Sequence, residues 1–221
     1  MNAYIEVYLV LLLLTLFSYF FTQRTNGHYA TMVILLMLLW LCTTVLAVYL
    51  YKYAGVKNNL FIFHISTPME FVIVSLLYKN AISSDRLKKL ITIMIPLFVV
   101  TSIVMSAFIE RPDTNNSYMV IVQSIVLTFY SLFFLRETLL LQQVRVLQYY
   151  PMFWISVGIL FYYVGILLVE GLFNYLVSRS IELLRRAYKI EHLIKYTLFV
   201  LLMIAAFCNK TKQISKTPVH L

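Results

Sequence analysis

An all-α, polytopic membrane helical bundle of about seven transmembrane helices is the fold class this sequence predicts, on three observations. Seven stretches with few or no charges follow one another along 221 residues, each near the ~20 residues that cross a ~30 Å hydrocarbon core. Charged residues make up 12% of the chain and hydrophobic residues 62%, against roughly 25% charged in a soluble domain. The connections are short, so consecutive helices should be antiparallel neighbours in one bundle. Residues 1–209 are thus expected to form one transmembrane bundle and residues 210–221 a short polar cytoplasmic tail.

The first stretch, 4–22, has no Lys or Arg before its apolar run and no small-residue cleavage site, so it reads as a retained helix rather than a signal peptide. The second, 29–51, contains Cys42, which with Cys208 reads as a small apolar packing residue, not half of a disulfide. Pro68 in the third stretch, 59–78, and Pro96 in the fourth, 90–109, are expected to kink their helices. The fifth, 117–135, repeats Ser117, Ser124 and Ser131 with Thr128 beside them, and the sixth, 152–176, places Gly158 and Gly165 two turns apart. Both patterns read as close helix packing. The seventh, 190–208, carries His192 and Lys195 near its start.

Two connections are amphipathic. Leu140, Val144 and Leu147 in 136–148, and Ile181, Leu184 and Tyr188 in 180–192, recur at helical spacing, as in helix extensions or interfacial helices. Tyr4, Tyr8, Tyr29, Tyr51, Tyr53, Tyr78, Tyr118, Tyr149, Tyr150 and Tyr175 crowd the span ends and read as an aromatic belt. No internal repeat is visible, which tells against a repeat-built transporter.

The net charge of +9 comes from residues spread over several loops, which fits contact with lipid headgroups and gives no reason to expect nucleic acid as a partner. One side of the bundle would hold Lys52, Lys57, Arg111, Arg179, Arg185, Arg186 and Lys189. The other would hold Arg24, Lys79, Arg86, Lys88, Lys89, Arg136, Arg145, Lys210, Lys212 and Lys216. The excess on the second side predicts an outward N-terminus and a cytoplasmic tail. Glu6, Glu110 and Asp113 on the first side agree.

Ionisable residues at membrane depth are costly and usually face a cavity or a partner. They are His64, Glu70, Glu170, His192 and Lys195. At ~1.5 Å per residue, His64, Glu170 and Lys195 lie roughly 5–10 Å below the outer face, with Gln123 at a similar level and Glu70 near the midplane. Tyr163, Glu170 and Asn174 share a face of the sixth helix; Ser66, Thr67 and Glu70 share one on the third; His192, Lys195 and Tyr196 share one on the seventh. Two readings fit. In one, these stripes line a water-accessible outer pocket for a polar or anionic small ligand, with His64, Glu70, Gln123, Tyr163, Glu170, Asn174, His192 and Lys195 as its ligand-binding residues. In the other they are a structural network in which Glu170 pairs with Lys195 and Glu70 bonds to Ser66 or Thr67. With no cation at its depth, Glu70 is expected to be a neutral acid in a polar pocket. No metal-ligand spacing, catalytic arrangement or cofactor motif is present. A microbial-rhodopsin reading fails, because Lys195 is near the start of its helix and no acidic residue precedes HISTPMEF at the counterion spacing.

The runs NNLFIFHISTPMEFVIVSLLY, NNSYMVIVQSIVLTFYSLFFL and PMFWISVGILFYYVGILLVEGLFNYL resemble an uncharacterised seven-helix family of integral membrane proteins of Bacteroidota-type bacteria, over residues 55 to 208. Related units are similar to membrane sensor units placed before histidine-kinase domains. Only NKTKQISKTPVHL follows Cys208, so the resemblance implies a free-standing sensor or accessory protein of the bacterial inner membrane acting through a separate signalling partner. That partner would meet KNAISSDRLKK and the 136–148 segment. A small proton-coupled transporter using Glu70 is the alternative, and an intramembrane lipid-modifying enzyme a third.

Overall fold

The computed structural model describes residues 3–56, 58–140, 147–172 and 180–208. Those residues are helical, without strands, and seven of their helices are long and apolar enough to cross a membrane. Residues Ala3–Lys52 hold two of them, α1 (Tyr4–Thr22) and α2 (Gly27–Lys52). Next come α3 (Phe61–Ala81), α4 (Asp85–Phe108), α5 (Ser117–Leu140), a short 3-10 turn (Leu147–Tyr149), α6 (Pro151–Gly171) and α7 (Ile181–Phe207).

Each boundary has a local cause. Gly27 sits at φ 54, ψ −127, a conformation open to glycine and strained for residues with a side chain, and there the chain turns back. Ile5 and Tyr8 of α1 consequently share a cavity wall with Ala47 and Val48 of α2. A straight helix would hold Ile5 and Ala47 about 60 Å apart. Gly55 at φ 66 closes α2, with Val56 N–H returning to Leu50 O at 3.0 Å, the left-handed helix stop that glycine favours. Pro151 occupies the first turn of α6, where its missing N–H leaves no bond unmade. Ser180 caps α7 by accepting from Glu182 N–H at 3.1 Å, and Glu182 pairs with Arg186 at 2.6 Å. The 180–192 segment is therefore the first turns of α7 itself. Pro68 and Pro96 lie inside helices that run on unbroken to both sides.

The helices close around one another. α7 packs on α6 and the α1–α2 pair, α6 on α5, α5 on α3, and α3 on α1–α2, while α4 packs on α3. Gly158 and Gly165 let α7 approach α6: a Cβ on Gly158 would stand 2.9 Å from Leu198 Cδ1, and one on Gly165 would collide with Ile194. Phe71 stacks on Phe98 at 3.9 Å to hold α4. Leu12, Met37, Phe71, Met119, Leu127, Ile155 and Phe199 are fully buried between helices, whereas Leu35, Val45, Ile93, Val100, Phe129 and Phe161 face outward, as lipid-facing residues must.

The tyrosine belt is only partly one. Tyr51, Tyr53 and Tyr118 are exposed, but Tyr78 is fully buried and hydrogen-bonded to Ser131 Oγ at 2.7 Å. A phenol inside a bundle needs such a partner. Cys208 is also more than packing: its Sγ–H donates to Gln148 O at 3.2 Å, beside Trp154 Nε1–H donating to the same oxygen at 3.0 Å. Tyr175 and segment 141–146 lie outside the described residues.

Candidate functional site

Six helices, all but α4, surround a cavity of about 430 Å³ in the half of the bundle that carries the chain's beginning. Asparagines tie its rim. Asn59 Nδ2 donates to Ala47 O at 2.9 Å and Asn58 Nδ2 to Asp113 O at 2.6 Å, joining the α2–α3 and α4–α5 connections. Asn116 Nδ2 donates to Thr67 Oγ1 at 3.1 Å and Phe63 O at 3.4 Å, fastening the start of α5 to α3.

A three-helix relay forms the deep end. Gln123 Nε2 of α5 donates to Tyr163 Oη of α6 at 3.3 Å, and Tyr163 O–H donates to Glu70 Oε1 of α3 at 2.6 Å. The Trp40 indole of α2 lies beside the same carboxyl. Trp40 also packs against Tyr162 at 5.6 Å, which meets Tyr163 edge-on at 4.9 Å, so Glu70 stands against an aromatic wall.

Nearer the rim, Glu170 Oε2 accepts from Ser117 Oγ at 2.9 Å and Asn115 Nδ2 at 3.2 Å. Lys195 Nζ pairs with Glu191 Oε1 at 2.6 Å, one turn earlier on α7, with side chains 25% and 14% exposed. The His192 ring stacks with Tyr4 and Tyr196, centroids 5.8 and 6.3 Å away, and its buried Nδ1 has no hydrogen-bond partner among the described residues. Among the described residues, no three His, Cys, Asp or Glu side chains converge as metal ligands would.

Of the residues singled out from the sequence, Glu70, Gln123, Tyr163, Glu170, His192 and Lys195 line this one cavity, and Asn174 lies outside the described residues. His64 does not line it. The ring turns toward α4, with Nε2 3.1 Å from Thr114 O and Nδ1 2.7 Å from Ser106 Oγ. A carbonyl only accepts, so Nε2 carries a hydrogen. His64 is a latch between α3, α4 and their neighbouring loop.

Two pairings also differ from expectation. Lys195 is held by Glu191, not Glu170, because a Glu four residues before a Lys on one helix is already its neighbour. Thr67 and Ser66 donate back to Phe63 O, at 2.7 and 3.5 Å, the usual resort of a helix hydroxyl. The partner of Glu70 is the phenol of another helix. Trp40, Tyr8, Asn115, Asn116 and Glu191 also line the cavity. Of these, only Glu191 has a sequence signal, its i,i+4 spacing to Lys195.

No protein-family model, curated protein sequence or solved structure matches the chain.

Proposed function

We propose that the protein is an integral membrane sensor or accessory subunit of a bacterial inner membrane. It binds a small ligand in the cavity-bearing half of its bundle and acts through a separate partner. The observation that carries this reading is a one-ended cavity whose largely apolar wall carries a few convergent polar groups. Its lining goes no deeper than the level of Glu70, Trp40 and Tyr162. Beyond that level Val74, Leu77, Tyr78, Leu127, Ile155 and Leu202 are all but fully buried and fill the space between helices. A ligand can lodge there, and its binding energy can bias the arrangement of the six surrounding helices. The basic-residue count orients this half outward, leaving the α3–α4 connection, with Asp85, Arg86 and Lys89 exposed, to meet the partner.

A cysteine on the cavity wall tests the reading against transport through Glu70. In a background with Cys42 and Cys208 replaced by Ala, Thr44→Cys should react with a membrane-impermeant thiol reagent from the outside alone. A carrier exposes its central site alternately to both sides, so comparable reaction from the inside would support transport and overturn the sensor reading.

A further inference from the structure

The charged groups of the cavity do not balance. Three carboxyl groups line it, Glu70, Glu170 and Glu191, with Lys195 the sole Lys or Arg among the described lining residues. Lys195 is already paired with Glu191. Glu70 and Glu170 receive hydrogen bonds from Tyr163, Ser117 and Asn115, and neither has an ion pair among the described residues. A carboxyl at such depth is compensated by a proton or by a cation brought to it.

Two independent features fit the second. Aromatic rings of Trp40, Tyr162 and Tyr163 flank Glu70, and the negative ring face attracts ammonium groups, most strongly when desolvated. Asn116 lines the same cavity, is 1% exposed, and its Oδ1 accepts no hydrogen bond among the described residues. That oxygen can only accept. An anionic ligand would instead meet three carboxyl groups and a lysine already engaged.

We infer that the ligand is an organic ammonium: a primary or secondary amine on a compact apolar body, its N–H groups bonding the Glu70 carboxylate while the body lies against Trp40 and Tyr162. Glu170, nearer the rim, gives the entering cation its first counter-charge. About 430 Å³ suits one small molecule. This narrows, and rests on, the ligand-binding reading above.

Three probes of similar shape test it on the whole protein in lipid nanodiscs: phenethylammonium, 3-phenylpropionate and 2-phenylethanol, titrated by calorimetry. Phenethylammonium should bind in preference to the other two. Glu70→Gln should weaken it at least about tenfold, as loss of a charge-assisted contact does. Glu170→Gln, which leaves the deep relay intact, should weaken it as well and serves if the Glu70 variant fails to fold. Thr92→Val, exposed on α4 and away from the cavity, should leave it unchanged. Preference for 3-phenylpropionate or 2-phenylethanol, or phenethylammonium binding indifferent to both glutamate variants, overturns the ammonium inference and leaves the ligand cavity standing. Binding of none of the three overturns the inference; if Thr44→Cys is then also unreactive, the cavity reading falls with it.

Discussion

Glu70 owes its place to a phenol rather than to the hydroxyls on its own helix. Tyr163→Phe removes the 2.6 Å bond to Glu70 and strands Gln123 Nε2. It should destabilise the micelle-solubilised protein by about 1–2 kcal/mol, read from a denaturation midpoint. An unchanged midpoint would mean that the relay contributes nothing. The Lys195–Glu191 pair predicts a specific coupling pattern. Lys195→Met and Glu191→Gln should each destabilise, and the double variant should lose less than their sum, with a coupling of about 0.5–3 kcal/mol. Glu170→Gln combined with Lys195→Met should be nearly additive. Coupling to Glu170 in place of Glu191 would reverse the assignment drawn from the 2.6 Å contact.

Among the elements, the α6–α7 contact is a close approach that glycine makes possible. At Gly165 an added methyl would run into the branched Ile194 side chain, while at Gly158 it would meet the far end of Leu198. Overpacking of this kind costs about 1–3 kcal/mol where the neighbour cannot turn aside. Gly165→Ala should therefore destabilise more than Gly158→Ala, and Ile194→Ala should recover part of the loss in the Gly165→Ala background. Equal effects at the two glycines would deny the asymmetry. The helix ends teach a related lesson. Pro68 and Pro96 were expected to kink their helices, which run on unbroken to both sides, whereas the chain turns back at Gly27, in the polar break between the first two apolar stretches.

For the molecule as a whole, α4 stands apart. It packs on α3 alone among the principal helix contacts, through Phe98 on Phe71 and Ser106 on His64, and it contributes nothing to the cavity. The cavity and the α3–α4 connection lie at opposite ends, so orientation in the membrane decides which of them meets the cell exterior. In the cysteine-free background, Arg111→Cys should label from outside in intact cells, and Asp85→Cys only after permeabilisation. The reverse pattern would turn the cavity toward the cytoplasm.

The spans were legible because a hydrocarbon slab demands about twenty apolar residues whatever the packing. Residue depth was legible because a helix is a ruler of ~1.5 Å per residue. Depth brought Glu70, Gln123, Glu170 and Lys195 into consideration, and the fold places all four on one cavity. Azimuth was not legible. His64 lies at the depth of Glu170 but faces α4, and Tyr78, placed at a span end by its sequence position, is sealed against Ser131. Neighbour choice was not legible either: Ser66 or Thr67 was the expected companion of Glu70, and the way α2, α3 and α6 meet selects Tyr163 and Trp40 instead. The sequence alone determined how many helices there are and how deep each residue sits, since those depend on one helix and its solvent. Which side chains meet depends on the rotation of every helix about its own axis, and tertiary packing alone sets that.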